Sequence, residues 1–282
     1  MRLPGPDYPA PAKLNLFLHV VGRRPDGYHL LQSVFTLIDR CDTLRLALRR
    51  DGQVRRVNEV PGVPEEADLT VRAARALQAA SGTTLGVDIE VEKHIPMGGG
   101  LGGGSSDAAT LLRVLDRLWD LHRPPRELAE LGARLGADVP FFLDGRPAWV
   151  EGIGERISPI TLPPRWYLVL VPPVHVPTPA VFAAPELTRD AEPLKIEDFS
   201  AHPERFQNVL EAVVTARYPD VGNHLAWLRS HGDARMTGSG GCVFAAFESA
   251  EAARRVLEAL PGTMKGFVAR GLERHPLAPA AA

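Results

Sequence analysis

Cysteine is scarce in this chain: Cys41 and Cys242 are the only two in 282 residues. Two cysteines so far apart make neither a disulfide framework nor a metal-binding spacing. The nine histidines form no His-Glu-x-x-His pair, and no Cys-x-x-Cys occurs. No run reaches the roughly 18 consecutive apolar residues that a membrane-crossing helix needs. The opening Met1-Arg2-Leu3-Pro4-Gly5-Pro6 lacks the apolar stretch of a secretion signal. An excess of charge is missing too. A net charge of −2 gives no electrostatic footing for nucleic acid or an anionic membrane. The remaining composition, 45% hydrophobic and 23% charged, is that of an ordinary globular chain with room for two domains. The expectation is a cytoplasmic enzyme with reduced thiols.

Glycine, by contrast, is concentrated in one place. Residues 98–104 hold six glycines in seven positions and run directly into Ser105-Ser106-Asp107. Glycine loses the most backbone entropy on ordering, so a folded chain clusters it where positive φ or close backbone approach is required. Consecutive amides in such a run can curl into a concave anion nest. A following helix adds unpaired N–H groups and the positive end of its dipole. A flexible linker would have similar composition, but here Ala108, Leu111, Leu112, Leu115, Leu118 and Trp119 follow on one helical face, with Arg113, Asp116 and Arg117 on the other. Ser105 or Ser106 is expected as the N-cap, with Asp107 in the first turn. Neither common phosphate-loop template fits. The dinucleotide fingerprint needs a strand running straight into the glycines and an acid about 20 residues on, ending a second strand. Pro96 intervenes here and a helix follows. The Walker loop needs Gly-Lys-Ser/Thr, which the chain lacks.

Elsewhere the periodicity predicts interleaved strands and helices. Residues 13–21 alternate, with Leu14, Leu16, Leu18 and Val20 on one face and Lys13, Asn15, Phe17 and His19 on the other. The two polar residues that start the second face fit a solvent edge or a site equally well. Asp26-Gly27 marks a tight turn before Tyr28 and His29. Strands are expected at 33–38, 43–49 and 86–92, helices at 67–80 and 126–135, and a helix start at Asp138. A proline-rich stretch at 158–164 looks like a boundary. Beyond it come strands at 166–171, 235–236, 242–247 and 264–270, and helices at 203–217 and 249–260. A second glycine turn spans Met236 to Cys242, and residues 276–282 read as a frayed tail. Interleaved elements of this kind indicate α+β layers, not a doubly wound parallel sheet.

Three segments combine into a recognisable order: Pro11-Ala12-Lys13-Leu14-Asn15-Leu16, Pro96-Met97-Gly98 through Ala109, and Thr237-Gly238-Ser239-Gly240. Together they resemble the three motifs of the kinase family named for galactose, homoserine, mevalonate and phosphomevalonate. Arg24-Pro25-Asp26-Gly27-Tyr28-His29, Leu135 through Phe142, and Val176 through Phe182 extend the likeness over nearly the whole chain. The resemblance implies a two-domain α+β small-molecule kinase fold with its active site in the interdomain cleft. The N-terminal domain is expected over 1–160, with the phosphate loop and catalytic pair, and a C-terminal α+β domain over 161–282 completing the substrate pocket. It further implies ATP-dependent phosphorylation of the 2-hydroxyl of a cytidine-diphospho sugar alcohol, in the non-mevalonate route to isoprenoid precursors. The implied partner is a small molecule, not nucleic acid or membrane.

By the same likeness, Pro96, Met97, Gly98, Gly99, Gly100, Leu101, Gly102, Gly103, Gly104, Ser105 and Ser106 wrap the ATP phosphates. Fixed amide dipoles need little reorganisation as charge shifts in phosphoryl transfer. Asp138 accepts or orients the substrate hydroxyl proton; without the likeness it reads equally as a helix N-cap. Lys13, beside Asp138 and the γ-phosphate, offsets developing charge. Next to that cation the aspartate is a weak base, better suited to aligning the nucleophile. Tyr28 and Phe182 correspond to positions that sandwich the cytosine ring, and His29 to one that reads its polar edge. Asn15 binds sugar-alcohol hydroxyls, while Thr178 and Pro179 shape the ribose side. Gly238, Ser239 and Gly240 form the third motif. Lys93 either flanks the nucleotide or is a solvated strand-end lysine. Magnesium is expected from the chemistry, with Ser105 and Ser106 as candidate ligands only. Two departures qualify the transfer. Ala183 stands where some relatives carry lysine, and Asp68 where relatives often have asparagine near the adenine. An ionised aspartate cannot donate, so no adenine-specific role is assigned to it.

Overall fold

The computed structural model describes residues 2–199 and 205–278. Its organising element is a long hairpin. Strand β1 (Tyr8–Arg23) turns at Asp26-Gly27 into β2 (His29–Arg49) and runs antiparallel to it. The sequence predicts two strands, at 33–38 and 43–49, with Asp39-Arg40-Cys41-Asp42 between them. The chain instead runs through as one strand. Pro11 pairs Cys41 while Ala12 pairs Ile38, so Asp39 and Arg40 bulge outward into solvent.

The other elements follow in order: β3 (Val54–Arg56), α1 (Leu69–Ser81), β4 (Gly86–Glu92), α2 (Gly103–Leu118), α3 (Pro125–Leu135), α4 (Val139–Asp144), β5 (Ala148–Gly152), β6 (Arg156–Pro159), β7 (Trp166–Leu170), α5 (Thr178–Phe182), α6 (Glu211–Arg217), α7 (Pro219–Arg229), β8 (Ala234–Met236), β9 (Val243–Phe247), α8 (Ala250–Glu258) and β10 (Gly266–Leu272). The described strands join in one sheet, ordered β3-β4-β2-β10-β7-β9-β8, with β1, β5 and β6 attached through β2. Most neighbours are antiparallel; β3–β4 is the parallel exception. The α+β reading therefore holds. The strands β3, β5 and β6 and helices α5 and α7 were not predicted. Helix 203–217 is found only as α6, and its first two predicted residues lie outside the described ones. The predicted frayed tail falls partly outside them as well.

Three apolar clusters position the site. One lies between α1–α4 and the strands β2, β4 and β5, where the predicted α2 face (Ala108, Leu111, Leu112, Leu115) is fully buried. A second joins β7–β9 to α6 and α7. The third is a seam holding Leu14, Ile38, Leu101, Val169, Cys242 and Phe244, and it fastens the two glycine turns to the same floor. Among the described strands, β1 has β2 as its only ladder partner. Its other edge meets loops: Lys13 N donates to Leu101 O at 3.0 Å and Leu18 N to Gln207 O at 3.0 Å. An edge tolerates Pro9 and Pro11, which have no N–H to donate.

Candidate active site

The loop at 96–104 packs back to back against the turn at 236–242. Gly98, Gly100 and Gly102 have φ of 71°, 79° and 72°. A Cβ at Gly100 would run into the carbonyl oxygen of Thr237, and one at Gly102 into the Phe142 ring and the Lys13 side chain. Cys242 N reaches back to Gly99 O at 3.2 Å. Only glycine permits this approach together with the left-handed backbone. The result is a loop whose amides, from Met97 to Ser105, donate to no group among the described residues. Backbone donors left open in this way, at a helix start, form an anion site.

Helix α2 corrects one expectation. Its N-cap is Gly102, with no side-chain cap, because the left-handed backbone and the nearby Phe142 and Lys13 leave no room for a serine there. Both serines fall inside the first turn. Ser106 is fully buried, donates its hydroxyl to Pro11 O at 2.6 Å, and does not line the cleft. Ser105 does line it, and its hydroxyl has no partner among the described residues. Asp107 is not in the first turn as expected: with the helix starting at Gly103 it falls just beyond it, buried and paired with Lys93 at 2.7 Å.

Lys13, buried on β1, projects its ammonium to 3.5 Å from Asp138 Oδ2. It also donates to Asn15 Oδ1 and lies 4.7 Å above the centre of the Phe35 ring. Asn15 in turn donates to Ser33 Oγ at 3.0 Å, and Ser33 donates to Phe17 O. The polar face of β1 is thus neither a solvent edge nor loose; it is a buried chain of hydrogen bonds ending at a carboxylate. Asp138 occupies the N-cap position of α4, yet its side chain makes no capping bond, and 29% of it stays exposed. A capping carboxylate would turn toward its own helix; this one is free to face the cleft.

The cleft is a cavity of about 1240 Å³, lined by the glycine loop, Lys13, Asn15, Asp138, Tyr28, His29, Thr178, Pro179, Phe182, Gly238 and Ser239. Gly240, the third member of its motif, lies behind the lining and packs on Met236 and Val214. At one end, His29 and Phe182 have ring centres 5.1 Å apart with planes tilted by 34°, and Tyr28 is 61% exposed. Thr178 and Ser239 join hydroxyls at 2.5 Å, linking α5 to the second turn. At the other end, Lys93 sits between Asp42 and Asp107 and is not a solvated strand-end lysine. Burial alone would lower its affinity for the proton, but the two carboxylates outweigh that and hold it above the ordinary value. Burial likewise pushes the Asp107 carboxyl up, with Lys93 pulling against it and Asp42 adding to it. Asp68 caps α1 through Thr70 N at 2.8 Å and pairs with Arg56 at 2.6 Å.

Residues not foreseen also shape the site. Ser33 and Phe35 on β2 and His175 beside Gly98 line it. Asn208 braces the second turn by donating to Met236 O and Gly238 O at 2.8 and 2.9 Å. Arg189 donates to His29 Nε2 at 3.2 Å. Ser33 carried a signal, as a polar residue in an apolar strand; the others depend on contacts between distant segments.

A family model described as the GHMP kinases N terminal domain matches residues 68–146, and one described as GHMP kinases C terminal matches 183–266. A curated relative from Thiobacillus denitrificans is 63% identical over 96% of each chain. The chain belongs to the GHMP kinase family. That relative bears the name 4-diphosphocytidyl-2-C-methyl-D-erythritol kinase. So does one from Nitrosospira multiformis, 59% identical over 95% of this chain and 92% of that one. A crystal structure of 4-(cytidine 5'-diphospho)-2C-methyl-D-erythritol kinase superposes with a TM-score of 0.82 at 36% identity, covering 94% of this chain and 98% of that one. A homoserine kinase from Cytophaga hutchinsonii shares the GHMP fold at a TM-score of 0.69 and 16% identity, over 98% and 97%. No helix among the described residues is long and apolar enough to cross a membrane.

Proposed function

We propose that this GHMP kinase transfers the γ-phosphoryl group of ATP to the 2-hydroxyl of 4-diphosphocytidyl-2-C-methyl-D-erythritol, a step toward isoprenoid precursors. The observation that carries the reading is one cleft with three zones. Open amides lie at the glycine loop, the Lys13–Asp138 pair stands beside them, and the Tyr28/His29/Phe182 group lies at the opposite end. The near relatives support the choice of acceptor.

Phosphoryl transfer needs positioning and charge stabilisation more than covalent help. The amides from Met97 to Ser105 hold the polyphosphate. Lys13, oriented by Asn15 and Phe35, offsets charge on the transferring group. Asp138 aligns the acceptor hydroxyl and takes its proton as the P–O bond forms. Phe182 and Tyr28 stack the pyrimidine, a contact of about 1–3 kcal/mol that is insensitive to base identity, so hydrogen bonding at His29 supplies the selection. Asn15 meets sugar-alcohol hydroxyls, and Thr178 and Pro179 border the ribose.

Magnesium fits this donor set. Among the described residues no group of three or more His, Cys, Asp or Glu could hold a metal, but a phosphate-bound Mg²⁺ requires only one or two protein donors. The Ser105 hydroxyl and a carboxylate oxygen of Asp138 would hold it, and it would neutralise phosphate charge. We read 1–160 and 161–282 as the two domains, a division supported by the change from the first apolar cluster to the second. The work takes place in the cytoplasm.

The test is a coupled assay of ADP release with the cytidine-diphospho sugar alcohol, homoserine or mevalonate as acceptor. Turnover confined to the first is the expected result. Preference for either small aliphatic acceptor would overturn the assignment.

A further inference from the structure

His29 can read a base edge in two opposite ways, depending on which ring nitrogen carries the proton. In this chain the choice is made by a neighbour. Arg189 Nε lies 3.2 Å from His29 Nε2. A guanidinium has only donors to offer, so Nε2 must accept and the proton of the neutral ring must sit on Nδ1. Arg189 cannot easily release this contact. Its Nη1 donates to Leu187 O at 3.0 Å, and its Nη2 to Phe182 O and Ala184 O at 3.0 and 2.7 Å. One side chain therefore ties the segment carrying Phe182 to the histidine beside it. Nδ1 has no partner among the described residues, and His29 lines the cleft.

We infer that Arg189 is a positioning residue that makes the site select cytosine over uracil, by fixing His29 as the neutral tautomer with its proton on Nδ1. The inference rests on the pyrimidine-pocket reading above. Cytosine presents two acceptors, N3 and O2, to such a donor. Uracil presents a donor at N3, so an Nδ1–H would meet an N–H. Stacking on Phe182 and Tyr28 cannot make that distinction.

Burial and the surrounding charges both favour the neutral ring. Burial, then Arg189, then Arg23 hold His29 below the ordinary imidazole value. The nearby Asp26 carboxylate is engaged elsewhere, by Arg24 at 2.7 Å and by the amide of Tyr28 at 3.3 Å. Without Arg189 the neutral ring would exchange freely between its two tautomers, one of which matches uracil.

The experiment compares the cytidine-diphospho sugar alcohol with its uridine-diphospho analogue, in the wild-type chain and in Arg189→Leu, from pH 6 to pH 8. In the wild type the cytidine preference is expected to be flat with pH. In the variant it should fall by about tenfold at pH 8, the worth of one hydrogen bond, and recover toward pH 6, where protonation returns a donor to Nδ1. KM for ATP should not move. A simple loss of packing would lower activity on both acceptors without this pH dependence. If the variant keeps the wild-type ratio across the range, the inference is overturned. If it does not fold, ¹⁵N spectra of wild-type His29 decide: a protonated Nδ1 supports the inference and a protonated Nε2 overturns it. A wild type indifferent to the base, but active on both, removes the pocket reading itself and the inference with it.

Discussion

In the loop at 96–104 the backbone donors stay open, whereas in the turn at 236–242 those of Met236, Thr237, Gly240 and Cys242 close on the chain. Thr237 N donates to Cys242 O, Gly240 N to Thr237 O and Cys242 N to Gly99 O, and Asn208 donates to Met236 O and Gly238 O. Both segments are rich in glycine and both use positive φ. One presents its amides to a cavity; the other is a buttress that keeps the first in shape. Similar composition thus serves two physical ends, and the difference lies in where each N–H points.

The sharpest way to separate shape from chemistry is to leave both turns intact and remove the carboxylate charge. Asp138→Asn is expected to lower turnover by about 10²–10⁴ while ATP affinity, measured by calorimetry, changes little. Wild-type turnover would remove Asp138 from the chemistry. Next in size is Gly100→Ala. Left-handed strain alone costs roughly 1–3 kcal/mol, and the collision with Thr237 O adds to it. Denaturant midpoint and nucleotide affinity should therefore fall together. The paired control is Gly104→Ala, where φ is ordinary and the nearest atom is Leu69 Cδ1 at 3.5 Å. It should be neutral or stabilising by about 0.4–1 kcal/mol. Equal losses from both substitutions would show that glycine content, not backbone geometry, is what matters.

At the far end of the cleft, Phe182→Ala should weaken the pyrimidine substrate about ten- to hundredfold and leave ATP binding unchanged. Equal loss for both ligands would indicate general damage. Another effect is remote from both turns. His275 is buried, donates from Nε2 to Thr110 Oγ1 and accepts from Leu277 N at Nδ1, and burial lowers its proton affinity to about 3. The unfolded chain binds that proton near 6.5, so this contribution to stability is complete above about pH 6.5 and declines as pH falls toward 3. Its slope cannot exceed about 1.4 kcal/mol per pH unit. His275→Gln should flatten the stability profile in that window.

Much of the architecture was legible locally. Alternation marked β1, the apolar face marked α2, and Asp26-Gly27 marked the hairpin. Lys13, Asn15 and Asp138 were picked out by the family resemblance; on pattern alone the first two fit a solvent edge equally well and the third a helix N-cap. What could not be read was whatever depends on distant partners. Asp39-Arg40 looks like a turn in isolation and becomes a bulge only because β1 continues opposite it. Ser105 and Ser106 are good caps by propensity, but tertiary crowding around Gly102 shifted the helix start ahead of them. Arg189 lies 160 positions from His29, and nothing in its neighbourhood announces the contact. Composition limited the possible functions; the contacts that shape the cleft are pairs that only the fold creates.

Strand β10 lies between β2 and β7 in the sheet, and it is the last strand among the described residues. On the ribosome, everything before Gly266 must therefore wait with exposed strand edges that have no native neighbour yet. Those edges are sticky toward other chains until release. Strand β10 links the β2 side of the sheet to the β7 side, so a nascent chain halted just short of residue 266 should engage chaperones and stay inactive, although every residue of the candidate site has already been made.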